Sequence, residues 1–235
     1  MKNIISSTLF SLVLSLAACG DDGGDPAGGD GGTVDEIPSL KLTGSLVDFS
    51  TGDPLSGGAT VSTDGLVPAP TVTVTGSNFE LSGIPPFSNF HVLAGSAPDY
   101  RSTYSMVVLV EDVDRSDLVF EALSEDFIAS LYTEFGVTET DGTSLVVAKL
   151  VDDQGAALAG VPAAAFALDA ATDGPHFLDA DKAPDATLTE SSSSGYVVVF
   201  NVSPGIASFV AEEGANLTML MADSPVANRA ATLAE

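Results

Sequence analysis

Thr71-Val72-Thr73-Val74-Thr75-Gly76-Ser77-Asn78-Phe79-Glu80-Leu81 alternates threonine and valine, breaks at a Gly-Ser-Asn turn and resumes with an aromatic-led run. Side chains of a strand point alternately to the two faces of a sheet, so a period of two places the valines on one face and the threonines on the other. The stretch therefore predicts an antiparallel hairpin with one buried face. Toward the N-terminus, Leu40, Leu42, Gly44, Leu46 and Asp48 give a first strand, and the turn residues STGDPLSGG lead into Ala59-Thr60-Val61. Toward the C-terminus, Gly83-Ile84-Pro85-Pro86 makes a loop, because proline cannot donate to a sheet ladder. Further strands are expected around His91-Val92-Leu93-Ala94, from Thr103 to Val110, and at Leu118-Val119-Phe120. Short alternating runs broken by turn residues predict an all-β antiparallel sandwich.

The order then repeats. Leu150-Val151-Asp152 through Gly160-Val161 matches Leu46-Val47-Asp48 through Ser56-Gly57, about 104 residues earlier. Thr187-Leu188-Thr189, an SSSSG turn, Tyr196 to Phe200 and Asn201-Val202-Ser203-Pro204-Gly205 match TVTVTGSNFELSGIPP. Two copies at that spacing predict tandem modules at residues 39–123 and 143–235, joined by a linker at 124–142. The pattern of a strand ending in Asp, a TGxPLxGA-like turn, T-x-T before a Gly turn, an aromatic-led strand and a Pro-rich loop resembles carboxypeptidase regulatory-like domains. LVDFSTGDPLSGGATV and FELSGIPP carry the match in the first copy, LVDDQGAALAGVPAAAF and GYVVVFNVSPG in the second. The resemblance implies two tandem Greek-key β-sandwiches of transthyretin-like, or prealbumin-like, fold. Phe87 stands where Gly usually follows the proline, and Ala157 where a proline usually stands, which shifts the module boundaries more than the fold.

Within the linker, Ser124 to Gly136 is the one clear helix of the sequence. Ser124 can cap it, Glu125 and Asp126 favour its first turn, and Gly136 can end it. Phe127, Ile128, Leu131 and Phe135 fall on one face at helical spacing, which requires a core to cover it.

Ahead of the modules, Lys2 and the apolar run Ile4 to Leu16 read as a secretory signal of residues 1–18, too short to span a ~30 Å hydrocarbon layer. Leu16-Ala17-Ala18-Cys19 resembles the lipobox of bacterial lipoproteins. In that family the thiol of Cys19, the chain's one cysteine, takes a diacylglyceryl group and the chain is cut after Ala18. Acyl methylenes contribute about 0.8 kcal/mol each, so such an anchor holds a protein on a membrane. Gly20, rather than Asp, follows the cysteine, which favours the outer membrane of a cell envelope. GDDGGDPAGGDGG, residues 20–32, lacks apolar anchors and predicts a flexible tether over 19–38. As a Gly-rich coil its length averages roughly 25 Å, and about 60 Å stretched.

Seven Lys+Arg against 33 Asp+Glu give a net charge of −26. Such a surface repels nucleic acid and anionic lipid, so attachment to a membrane is expected through Cys19 and not through basic residues. The chemistry of a zinc carboxypeptidase needs a His-x-x-Glu pair and a distant second histidine. Here His91 and His176 are the two histidines, followed three residues on by Ala94 and Asp179. No G-x-S-x-G elbow and no second thiol are present, so the chain is expected to be no enzyme. Asp173, His176, Asp179, Asp181 and Asp185 gather in one long loop of the second module and are the metal candidates, for calcium by their oxygens or a transition metal by His176. Ala183 stands where a further acidic ligand would be needed and no EF-hand glycine or closing glutamate follows, so a solvated insertion without cofactor is the expectation. Glu111, Asp112, Asp114 and Asp117 around Arg115 form a similar acidic turn. The function expected is a non-enzymatic, lipid-anchored binding or scaffold module that contacts an envelope protein or glycan. A bare structural spacer and a calcium- or glycan-binding module are the alternatives.

Overall fold

The threonines and valines of Thr71–Thr75 form one arm of a hairpin whose other arm is Asn78–Ile84, with Thr75 opposite Asn78 and Thr71 opposite Ser82. Gly76 takes the turn with φ +64°, a conformation that costs a residue with a Cβ. The computed structural model describes residues 39–55, 57–169, 171, 173–212 and 223–234. Its first strands are β1 (Leu40–Asp48), β2 (Thr60–Asp64), β3 (Thr71–Thr75), β4 (Asn78–Ile84), β5 (Asn89–Ser96), β6 (Tyr100–Tyr104), β7 (Val108–Leu109) and β8 (Arg115–Ala122). Helix α1 (Glu125–Glu134) follows, and then β9 (Ser144–Lys149), β10 (Phe166–Leu168), β11 (Asp173–Phe177), β12 (Tyr196–Val202), β13 (Gly205–Ala211), β14 (Asp223–Val226) and β15 (Ala231–Ala234). The described chain is thus mostly β with a single α-helix, as the alternating runs predict.

Three sheets hold these strands: β3-β4-β1-β8, β10-β13-β14, and a long sheet in the order β11-β12-β9-β15-β6-β5-β2, with β7 pairing β5. Strands from before and after the helix meet in the long sheet through β15. Ala231 and Thr232 pair with Thr103 and Tyr104 on one side, and Ala231–Ala234 pair with Leu145–Ala148 on the other. Leu42, Leu46, Phe79 and Leu81 of the four-stranded sheet pack on Phe90 and Val92 of the long sheet to make one core. Phe166, Phe209 and Val226 pack on Val146, Val197 and Val199 at the other end to make a second.

A third core lies on the opposite face of β9, β12 and β15. Ile128 and Leu131 of α1 sit there with Phe49 and Leu123 from before the helix and Leu145, Val147, Val198 and Phe200 from after it. This accounts for the unbroken apolar run Val197–Phe200: odd residues face the second core and even residues the third, so both faces of β12 are buried. The helix starts where expected, with the Ser124 side chain accepting from Phe127 N and Glu125 and Asp126 in the first turn, and Gly136 follows its C-cap at φ +66°.

Three features depart from the sequence expectation. Pairing is not antiparallel throughout: β1 runs parallel to β8, and β15 parallel to both β6 and β9. The close approach of β1 to β8 requires Gly44, since a Cβ there would run into the carbonyl oxygen of Leu118. The strand expected from Thr103 to Val110 stops at Tyr104, because the Ser105 hydroxyl accepts from Val92 N (3.0 Å) and donates to Met106 O (2.7 Å). The chain turns there and returns as β7. Thr187-Leu188-Thr189 is a turn and not a strand, since Asp185 Oδ1 takes both Thr187 N and Thr187 Oγ1 at 2.9 and 2.6 Å.

Candidate functional site

Where the long sheet passes from β6 through β15 to β9, the β6–β7 connection and strand β8 stand over its face and leave a cleft of about 440 Å³. Met106, Leu109, Leu118 and Val119 line it from the elements before the helix, and Val147, Tyr196 and Leu233 from those after it. Met106, Leu109 and Val119 are 46%, 59% and 58% exposed, a large apolar exposure at one place on a highly acidic molecule. Val119 lies on the side of β8 away from Leu118 and Phe120, which pack in the first core, and is left more than half exposed. Arg115 and Lys149 also line the cleft. The Arg115 guanidinium donates to Leu109 O at 3.1 Å, which fixes β8 to β7. Lys149 Nζ lies 6.0 Å from the centre of the Tyr196 ring.

A second lysine stands beside two of the lining residues, Glu121 and Tyr196. Lys182 donates to Phe49 O (2.9 Å) and Glu121 Oε1 (3.1 Å) and rests 4.3 Å over the Phe49 ring and 5.2 Å from that of Tyr196. It ties the loop before β12 to the ends of β1 and β8. Arg101 does similar work beside the helix, with its Nε and Nη2 on Glu125 (3.0 and 2.7 Å) and Nη1 on Glu139 (2.7 Å). Burial works against its charge, and the two glutamates more than offset this, so the guanidinium is held still more firmly protonated than usual. Asp48, buried at the end of β1, accepts from Ser50 N, Ser50 Oγ and Thr51 N. Burial raises its pKa, but these bonds and one from the Ser124 hydroxyl prevail and bring it below the ordinary value. The same serine therefore caps the helix and anchors it to β1.

Of the residues singled out from sequence, Arg115 lines the cleft, and Asp173, His176, Asp179, Asp181 and Asp185 do not. Cys19, with the signal and tether, falls outside the described residues. Asp173 and His176 do come together, Oδ1 to Nε2 at 2.6 Å, and the imidazole stacks on Phe135 at 4.6 Å. Asp179 instead spends Oδ1 on Asp181 N and Ala183 N (2.9 and 2.8 Å), shaping its own turn, and Asp181 is exposed. Asp185 holds Thr187, as above. Among the described residues, no three of His, Cys, Asp and Glu form a group that could hold a metal ion. In the acidic turn, Asp114 accepts from Lys41 N (2.8 Å) and Asp117 from Ser116 Oγ (3.1 Å). His91 Nδ1 lies 2.9 Å from Ser105 O, part of the same join that ends β6.

Sequence reasoning missed the cleft because its residues come from five separated stretches. One local signal was present: an unanswered apolar residue, Val119, between the acidic Asp117 and Glu121. Among the described residues no helix is long and apolar enough to cross a membrane. No family model matches the chain, and no curated protein matches it. Among solved structures, a Streptococcal ancillary pilin is similar at 15% identity and a TM-score of 0.27, over 84% of this chain and 68% of that one.

Proposed function

We propose that this chain is a non-enzymatic binding or scaffold lipoprotein of the cell envelope, exported by residues 1–18 and held at a membrane, the outer one by its Gly20, through acylated Cys19. In this reading residues 39–123 and 143–235 are two carboxypeptidase regulatory-like sandwiches of transthyretin-like type, and the cleft between them is the surface that binds. The observation that carries it is the cleft itself: concave, largely apolar, built from residues on both sides of the helix, with Arg115, Lys149 and Glu121 on it in a molecule of charge −26. Sites for small ligands and partners are concave and mostly apolar with a few placed polar groups. A spacer has no use for exposed Met106, Leu109 and Val119.

Two measurements test this. Intact mass of the membrane fraction is expected to show Cys19 acylated and residues 1–18 removed; a soluble chain with a free thiol rules out the anchor. Pulldown from envelope extract under mild salt is expected to retain a ligand or partner that Val119→Asp loses. Retention unchanged by that substitution places binding elsewhere, and no retention at all favours the bare spacer.

A further inference from the structure

At one end of the first core, three connections and the start of β1 come together. Leu40 stands opposite Ile84 at the end of β4, and Lys41 N donates to Asp114 Oδ1 (2.8 Å) just before β8. Phe87 N donates to Glu111 O (2.9 Å) and Val110 N to Ser88 O (3.0 Å), which binds the β4–β5 connection to the β7–β8 connection. Asp64, the last residue of β2, pairs with His91 near the start of β5, and Gly65 lies against Asn89 and Phe90, so the β2–β3 connection joins them. Each connection carries one apolar side chain into solvent: Val67 at 92% exposure, Phe87 at 77% and Val113 at 56%. Phe87 is held there against its own preference. Its φ is +56°, a backbone that a bulky residue rarely takes and glycine takes freely, and the Ser88 hydroxyl, donating to Pro85 O at 2.7 Å, closes the turn around it. Strain kept around a displayed side chain points to a use for that side chain.

The chain reaches β1 at this same end, so in the lipoprotein reading residues 19–38 tie the three tips to the membrane, at about 60 Å when stretched and roughly 25 Å on average. Resting on that anchored reading, we propose that the end of the fold bearing Val67, Phe87 and Val113 docks on the bilayer that holds Cys19, with the three side chains entering its interface. An aromatic ring and aliphatic side chains on loop tips suit a layer that is apolar below and wet above. Among possible occupants, the bilayer is the one that the chain itself brings to this end. A short flexible tether sets a local concentration on the order of millimolar, so three shallow contacts need little intrinsic affinity. Asp64, Glu111, Asp112 and Asp114 are exposed at this end beside Lys41 and Arg115. Acids outnumber bases there, so the surface that fits is zwitterionic, and anionic lipid is repelled. Docking fixes which end of the fold faces the lipid, which a tether alone leaves free.

The sequence contains no tryptophan, so one introduced at a single site reports alone. Phe87→Trp, Val67→Trp and Val113→Trp, with Ile206→Trp and Val210→Trp on β13 as controls, are purified with their acyl group from the membrane fraction. Each is reconstituted into phosphatidylcholine vesicles whose acyl chains carry bromine, a contact quencher, and circular dichroism confirms that it folds. Interfacial groups lie about 5–10 Å into the headgroup and acyl boundary, so Phe87→Trp is expected to lose about half of its fluorescence and to shift to the blue. Val67→Trp and Val113→Trp are expected to follow, and the two controls to stay unquenched. Adding Phe87→Asp to Val113→Trp is expected to remove most of the quenching at the second tip. Phosphatidylglycerol in the vesicles at low salt is expected to weaken it at all three. Unquenched tips on vesicles that carry the chain, quenching at Val210→Trp equal to that at Phe87→Trp, or quenching that requires phosphatidylglycerol overturns the proposal. Should Phe87→Trp fail to fold, Val67→Trp and Val113→Trp decide alone. Intact mass separates the two readings: unquenched tips on a chain with acylated Cys19 overturn the docking and leave the anchor standing, whereas a free Cys19 thiol in the membrane fraction overturns both.

Discussion

At Asp48 a single carboxylate joins a turn, a strand end and a helix cap. Its oxygens face the Ser50 and Thr51 amides and the hydroxyls of Ser50, Ser124 and Tyr100, so the charged form is favoured in the fold although the group is buried. Because folding holds the carboxyl below its ordinary 3.8, the stabilisation is complete above that pH and fades as pH falls through it and below. Asp48→Asn is expected to lose roughly 1–2 kcal/mol at pH 7, with the difference from the parent closing below about pH 4 in urea titrations. Tyr132 presents the opposite case. Its hydroxyl is buried and has no hydrogen-bond partner among the described residues, while its ring packs on Phe200 at 4.8 Å. Burial, helped by the charge of Glu139, pushes its pKa up to about 12. The protonated form is favoured in the fold, so stability holds below the ordinary value of 10 and drops as pH rises past it. Tyr132→Phe removes an unsatisfied polar atom and keeps the ring, so it is expected to stabilise by roughly 0.5–1 kcal/mol at neutral pH and to flatten the alkaline loss. A lower urea midpoint for Tyr132→Phe would show that the hydroxyl has a partner in solution.

Among the elements, the helix and the loop before β12 carry the join between the strands that precede the helix and those that follow it. Ile128 and Leu131 supply its apolar contacts, and Lys182 its polar one. Lys182→Met keeps the stem over Phe49 and removes the charge, two hydrogen bonds and the ammonium contacts with both rings. It is expected to cost about 1–2 kcal/mol, read as a shift in urea midpoint, and no shift would mean that the methylenes alone hold the loop. How far such elements can be read in a sequence depends on the reach of their causes. The hairpin at Thr71–Ile84 and the helix at Glu125–Glu134 were legible because alternation, capping serine and terminal glycine act within a few residues. The early end of β6 was not, because a serine hydroxyl 13 residues from Val92 replaces a ladder carbonyl. Nor was the place of β15, whose four residues ATLA carry little periodicity. They gain their partners from strands some 85 and 130 positions away. The cleft shares that fate: Lys149 is unremarkable in sequence until Tyr196 and Val119 are folded around it.

Over the whole molecule, these joins decide how it should unfold. A sequence with two similar halves invites the expectation of two independent transitions. Yet β15 hydrogen-bonds to strands on either side of the helix, the third core draws Phe49 and Leu123 together with Leu145 and Phe200, and Lys182 spans the same boundary. Melting either end would strip β15 of a neighbour and open the third core to water, so calorimetry of the full chain is expected to show one endotherm with van't Hoff and calorimetric enthalpies in agreement. Two resolved peaks would mean that the shared sheet is weaker than either the first or the second core. The net charge of −26 adds a second handle, since crowded carboxylates repel one another more in the compact state than in the unfolded chain. Sodium chloride at 0.15 M shortens the screening length to about 8 Å from about 30 Å at 0.01 M. That change is expected to raise the single midpoint by several degrees, while disrupting Lys182–Glu121 and the Arg101 cluster only slightly, because both are partly buried. A midpoint that falls with salt would instead show that these ion pairs outweigh the repulsion of the acidic surface.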